Sequence, residues 1–278
     1  MAALLALLSA GLGGSADFVG GYASKRLPAV VVVWLSQCIG LTLVVSLVVA
    51  TRTGAEDHSY VWWAIGAGQS LLLGLVAFYT ALSTGKMGVV APIAALGVVL
   101  PVLWALVVGE ERLSVGQFVG IALAILGIVL ASGPELEGGA GLRPLLLAIA
   151  AGTGFGILTI CLAEGSSEEP LMTTLVSRIS LLLSLTAFLL LTRRLVPSAW
   201  GGASAPTVIL LGLLDVGALL SAAYAMSIGM VSVVSVLCSL YPVATVVLAR
   251  LVLKERARPV QVVGVVSVLA GVVLLGAG

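Results

Sequence analysis

Long apolar runs alternate with short polar breaks from one end of the chain to the other. Crossing a hydrocarbon layer of about 30 Å takes about 20 apolar residues in a helix. Ten runs approach that length, near Ala2–Ala23, Ala29–Ala50, Val61–Ser83, Gly88–Val108 and Val115–Ser132, then Leu142–Ala163, Leu171–Thr192, Pro206–Ile228, Val231–Leu253 and Pro259–Gly276. Lys25-Arg26-Leu27-Pro28, the Thr51–Ser59 stretch, Gly85-Lys86 and Gly109-Glu110-Glu111-Arg112 separate the first five. Glu164–Pro170, Arg193–Pro197 and Lys254–Pro259 separate the second five. Residues 134–141, with Pro134, Glu135 and Glu137, read as a linker between a first unit (1–133) and a second (142–278). Backbone polar groups in lipid must be satisfied within the segment or in a closed barrel. Unbroken apolar runs are unlike the alternation of barrel strands. The pattern predicts an all-α, polytopic membrane protein with about ten transmembrane helices.

Composition agrees. Of 278 residues, 60% are hydrophobic and 9% charged, and the mean hydropathy is +1.25. A soluble domain carries about 25% charged residues to solvate its surface. This chain lacks that shell, so its solvent is expected to be lipid. A net charge of +1 suggests no nucleic acid partner. Cys38, Cys161 and Cys238 lie inside apolar runs without disulfide or metal spacing, and read as reduced, small hydrophobes. The first run has a small-residue stretch at Ser9–Ala16, yet it lacks a basic leader and continues to Tyr22. It is expected to be a retained span rather than a cleaved signal.

The chain repeats itself. Glu111, Arg112, Gln117, Gly120 and Gly127 recur as Glu255, Arg256, Gln261, Gly264 and Gly271, at a constant offset of 144. Matches between apolar residues are cheap in such a chain, but five among Glu, Arg, Gln and Gly are not. Phe78-Tyr79 aligns with Ala223-Tyr224, and Ala6, Ala10 and Gly14 align with Ala148, Gly152 and Gly156. Small residues every four positions let membrane helices approach closely. A unit with an odd number of spans enters the bilayer upside down in its second copy, so two inverted five-helix repeats are expected.

At these residues the chain resembles the drug/metabolite transporter superfamily, specifically its EamA-like ten-helix members. The resemblance covers nearly the whole chain and is most specific over Gly97–Val129 and Tyr241–Val273. Gly14-Ser15 with Phe18 is a weaker echo of the family's Trp-Gly-Ser-x-Phe, with no tryptophan and with Asp17 intruding. The family often carries an arginine in the second helix of each half. The second half has Arg178, and the first has Ser36-Gln37 near the corresponding place. The resemblance implies a substrate cavity between the halves, alternating access, and often export of amino acids or other small metabolites.

Ionisable groups within a span cost about 2.5–3.5 kcal/mol on insertion scales and are functional candidates by default. Asp215 lies near the middle of the eighth span, Arg178 about two turns into the seventh, and Asp17 eight residues before Lys25. Near an interface, Arg178 could snorkel. Around them Gln37, Gln69, Tyr79, Tyr224, Ser235, Ser239 and Tyr241 suit a substrate cavity, and Ser232 shares one helical face with Ser235 and Ser239. The alternative for the serines is bonding back to the preceding turn. Glu111 and Glu255 stand just before the last helix of each half, where a carboxylate complements a helix N-terminus.

Other classes fit less well. A serine protease needs a base near its nucleophile, and His58 lies in the Thr51–Ser59 loop. No His/Cys/Glu cluster has zinc spacing, no cofactor motif appears, and Asp17 and Asp215 sit in no known protease motif. A passive facilitator on the same fold remains the main alternative to an alternating-access exporter, with an intramembrane enzyme behind it. The expected partners are a small-molecule substrate and the bilayer. No Gly-rich phosphate loop appears, so direct drive by ATP is not expected. A proton gradient would need a titrating group in the cavity, with Asp215 the first candidate and Asp17 the second. Odd-numbered loops contain Lys25, Arg26, Lys86, Arg143, Arg193, Arg194, Arg250, Lys254, Arg256 and Arg258, against Arg52 and Arg112 on the other side. Positive-inside then puts both termini outside, whereas the resembled family usually has them inside.

Overall fold

A computed structural model describes residues 1–54, 58–84, 87–132, 142–167, 169–192 and 205–253, with scattered helical positions between 260 and 274. The first unit contains α1 (Ala2–Ser24), α2 (Ala29–Thr51), α3 (Tyr60–Thr84), α4 (Met87–Ala95), α5 (Val99–Val107) and α6 (Val115–Ser132). The second contains α7 (Leu142–Gly165), α8 (Pro170–Leu191), α9 (Ala205–Ile228), α10 (Val231–Cys238) and α11 (Tyr241–Leu253). Helices α1, α2, α3, α7, α8 and α9 are each long and apolar enough to cross a membrane. Large apolar side chains such as Leu73, Leu103 and Leu183 are exposed on the outside, as lipid contact requires. The protein is a multi-pass integral membrane protein.

Two spans depart from the pattern read in the sequence. The apolar pattern predicts continuous helices over Gly88–Val108 and Val231–Leu253, and both are broken. The first is interrupted by one turn of 3-10 helix at Leu96–Val98, between α4 and α5. The second breaks between Cys238 and Tyr241, and Leu240 is the repeat counterpart of Leu96 at the 144 offset. Proline supplies the cause. It has no N–H, and its ring clashes with the carbonyl four residues earlier. Counting four back from Pro101 gives Gly97, and from Pro242 gives Cys238, which are the places where the helices fail.

The halves interlock around a pseudo-two-fold axis. α3 packs along α7, and α1 packs along α9. These two pairings are the same pairing seen from the two halves. Glycines carry the closest approaches. A Cβ at Gly14 would lie 2.2 Å from Tyr241 O, and one at Gly156 would lie 2.5 Å from Gly97 O. Gly14 and Gly156 are repeat partners, as are Gly97 and Tyr241. Likewise a Cβ at Gly68 would meet Ser177 O at 2.2 Å, and one at the matching Gly212 would meet Ser36 O at 2.9 Å. Each contact occurs twice, once in each direction. The two repeats thus bury their small-residue faces in one another.

Glu111 corrects a second expectation. The last helix of its own half, α6, is capped without it: Ser114 Oγ accepts from the Gln117 backbone at 3.1 Å, and Gln117 Oε1 accepts from the Ser114 backbone at 2.9 Å. That reciprocal pair is a capping box. Glu111 reaches instead into the second half, where Val231 N–H donates to Oε1 at 2.6 Å and Ser232 N–H to Oε2 at 3.1 Å. It caps α10. Its repeat partner Glu255 lies outside the described residues, as does the linker 134–141.

Candidate functional site between the halves

Where the halves meet they line an open-sided cavity of about 160 Å³. The long helices α1, α3, α7 and α9 supply much of its wall. Both helix breaks supply the rest, through Ala95 and Val98 on one side and Cys238, Ser239 and Tyr241 on the other. Most of the lining is apolar. Phe155 stands edge-on to Phe78 at 5.5 Å between ring centres, and Tyr241 edge-on to Phe78 at 6.5 Å, so an aromatic cluster closes this wall.

Two carboxylates interrupt the apolar lining, Asp17 from α1 and Asp215 from α9. They differ in their surroundings. Asp215 is held by two side chains: Arg178 Nη1 lies 2.9 Å from its Oδ2, and Gln37 Nε2 donates to the same oxygen at 2.9 Å. Arg178 Nη1 also donates to Gln37 Oε1. A Cβ at Gly40 would lie 2.5 Å from that Nη1, so only glycine leaves room for the guanidinium. Arg178 is fully buried, and its Nε and Nη2 have no partner among the described residues. Asp215 keeps 15% of its side chain exposed. Asp17, by contrast, is 9% exposed and makes no hydrogen bond or ion pair among the described residues.

Of the candidates read from the sequence, Asp17, Asp215, Ser235, Ser239 and Tyr241 line the cavity. Gln37 and Arg178 form the layer behind Asp215. Gln69 lies elsewhere, with its Nε2 donating to Ser180 Oγ at 2.7 Å and Ser180 O at 3.1 Å, which ties α3 to α8. Tyr79 is buried against α1, where a Cβ at Gly20 would lie 2.6 Å from its hydroxyl. Tyr224 is 42% exposed and outside the lining. Ser232 donates to Glu111 at the far end of α10. The sequence reading missed Ser9, Phe155 and Met226, which do line the cavity. Its signal for the site as a whole would have been Pro101 and Pro242, which differ by three positions in repeat register but each follow the failed turn of their own half, since interrupted helices mark binding sites in inverted repeats.

Comparison with known proteins agrees with this architecture. The profile of the EamA-like transporter family matches the chain twice, over residues 1–133 and 142–277. An uncharacterized protein of Methanocaldococcus jannaschii is 32% identical over 76 residues, which is 27% of this chain and 56% of that relative. The match therefore spans little more than half of the relative's length. One solved crystal structure superposes with a TM-score of 0.77 at 19% identity, covering 98% of this chain and 95% of the other, and so shares the fold. With two matches that leave almost nothing of the chain uncovered, and two interlocked helical repeats to account for them, this chain belongs to the EamA-like transporter family.

Proposed function

We propose that this protein is a secondary transporter that exports small metabolites, amino acids or related compounds, across the cytoplasmic membrane by alternating access. Residues 1–133 and 142–278 are the two halves that move against each other, and 134–141 joins them. The observation that carries the reading is the cavity, which both halves line and which both helix breaks border. In inverted-repeat transporters the substrate sits at the repeat interface beside discontinuous helices, and the halves rock about it. Asp215 and Asp17 supply its charge, with Ser235, Ser239 and Tyr241 beside them.

Purified protein in proteoliposomes tests this against a panel of amino acids, nucleosides and organic cations. Saturable, substrate-specific counterflow is expected. Inert liposomes containing well-inserted protein across the whole panel would refute a transport role. Accumulation driven by an imposed pH gradient would establish proton coupling. Flux that never exceeds equilibrium would assign a passive facilitator on the same fold.

A further inference from the structure

We propose that the cavity takes a small organic monocation, a primary ammonium on an apolar body, with Asp17 as its counter-charge. This rests on the transport reading above and, within its small metabolites, puts amines in the place of amino acids. Arg178 and Asp215 form a contact pair at 2.9 Å and together carry no net charge. Asp17 lines the same space with no cation and no hydrogen bond among the described residues. A carboxylate left alone in an apolar cavity is costly, and a ligand's ammonium supplies what it lacks.

The same arrangement disfavours a ligand carboxylate. Arg178 is fully buried and does not line the cavity, and its engaged nitrogen already serves Gln37 and Asp215. A zwitterionic amino acid would therefore present its carboxylate to two acids and to no free cation. Charge selects the amine over the amino acid.

Unsatisfied hydrogen-bonding groups at the cavity point the same way. A primary ammonium has three N–H donors, and Asp17 satisfies only part of that demand. Ser235 is 1% exposed, lines the cavity, and its Oγ has no partner among the described residues. The Tyr241 hydroxyl is likewise buried, unpartnered and part of a cavity residue. Buried polar atoms are rarely left unsatisfied, and each of these oxygens can accept from an ammonium. Leu71, Leu75 and Phe155 then face the hydrocarbon part of the ligand.

Three matched probes test the inference on the full-length protein in lipid nanodiscs at neutral pH: phenethylamine, phenylalanine and phenethyl alcohol. They share the ring and differ in charge. Calorimetric titration should show the amine binding roughly tenfold tighter than either of the others. Asp17→Asn should weaken amine binding by about tenfold while leaving the alcohol unchanged, and Asp17→Glu should keep most of the amine's affinity. Phenylalanine binding as tightly as the amine, or Asp17→Asn binding the amine like the native protein, would overturn the proposal. Should Asp17→Asn fail to fold, the three-probe comparison on the native protein decides alone. Amine binding with this selectivity but without counterflow in proteoliposomes would leave the site standing and remove the transport reading.

Discussion

Glu111 Oε1 lies 2.6 Å from the backbone nitrogen of Val231, so a carboxylate from the first half caps a helix of the second. The first turn of any helix leaves N–H groups without intrahelical partners, and Glu111 takes two of those of α10 together with the Ser232 hydroxyl. The other end of α10 delivers Ser235 and Cys238 to the cavity. The carboxylate thereby sets the depth of a half-helix that ends at the site.

We predict that Glu111→Ala lowers stability by about 2–3 kcal/mol, more than a neutral cap is worth, because charged hydrogen bonds are lost. Glu111→Gln should retain about half. Thermal unfolding in detergent measures both, and an alanine variant as stable as the native protein would show that the contact is incidental.

The Arg178–Asp215 pair yields a second prediction. Asp215→Asn leaves a fully buried guanidinium without its counter-charge, and removing one member of a buried pair costs about 3–5 kcal/mol. All transport modes should fall together as the fold weakens. Combining Asp215→Asn with Arg178→Gln removes both charges and should recover part of the loss. A stable Asp215→Asn protein that loses only uphill transport would give Asp215 a proton-carrying role instead.

The glycine contacts are equally open to test. A Cβ at Gly97 would lie 2.0 Å from Gly152 O, and the atom in the way is backbone that cannot step aside. Gly97→Ala should cost about 3 kcal/mol, at the upper end of overpacking effects. Gly11 has nothing within 4 Å of its Cβ position. Gly11→Ala should be neutral or stabilising by up to ~1 kcal/mol through helix propensity. Equal effects from the two substitutions, measured by unfolding in detergent, would contradict the packing described.

How much of this was legible in the sequence follows from what each signal encodes. The apolar membrane helices, the duplicated Glu-Arg-Gln-Gly string and the buried Asp and Arg were readable, because each contrasts with its background, while the tenth run, Pro259–Gly276, lies largely outside the described residues. The helix breaks were not, since a hydropathy window averages over one distorted turn. Pro101 and Pro242 carried that information and needed to be read as backbone chemistry. The partner of Glu111 was hidden for another reason. A repeat shows that a residue occurs twice but not which half its side chain reaches. From sequence Tyr224 and Gln69 read as cavity residues beside Asp215, because helices apolar on every side give no contrast between the face toward the cavity and the face toward lipid.

Orientation supplies a last prediction. Ten Lys and Arg lie in or at the helix ends beside the odd-numbered loops against two on the opposite side, and positive-inside then places both termini outside the cell. A single cysteine added at the C-terminus should react with a membrane-impermeant maleimide in intact cells. Protection until the cells are opened would reverse the assignment.

Leu35-Ser36-Gln37 stands in the first half where Val176-Ser177-Arg178 stands in the second, and the paired contacts of Ser36 and Ser177 with Gly212 and Gly68 fix that equivalence. Arg178 touches Gln37, its own counterpart. Two equivalent residues can meet only on the symmetry axis. In a dimer of identical five-helix chains that position would set arginine against arginine, two like charges in a low dielectric. Joining the copies into one polypeptide lifts the constraint. Each copy then mutates separately, and a guanidinium can face an amide at the one place where strict self-pairing forbids it.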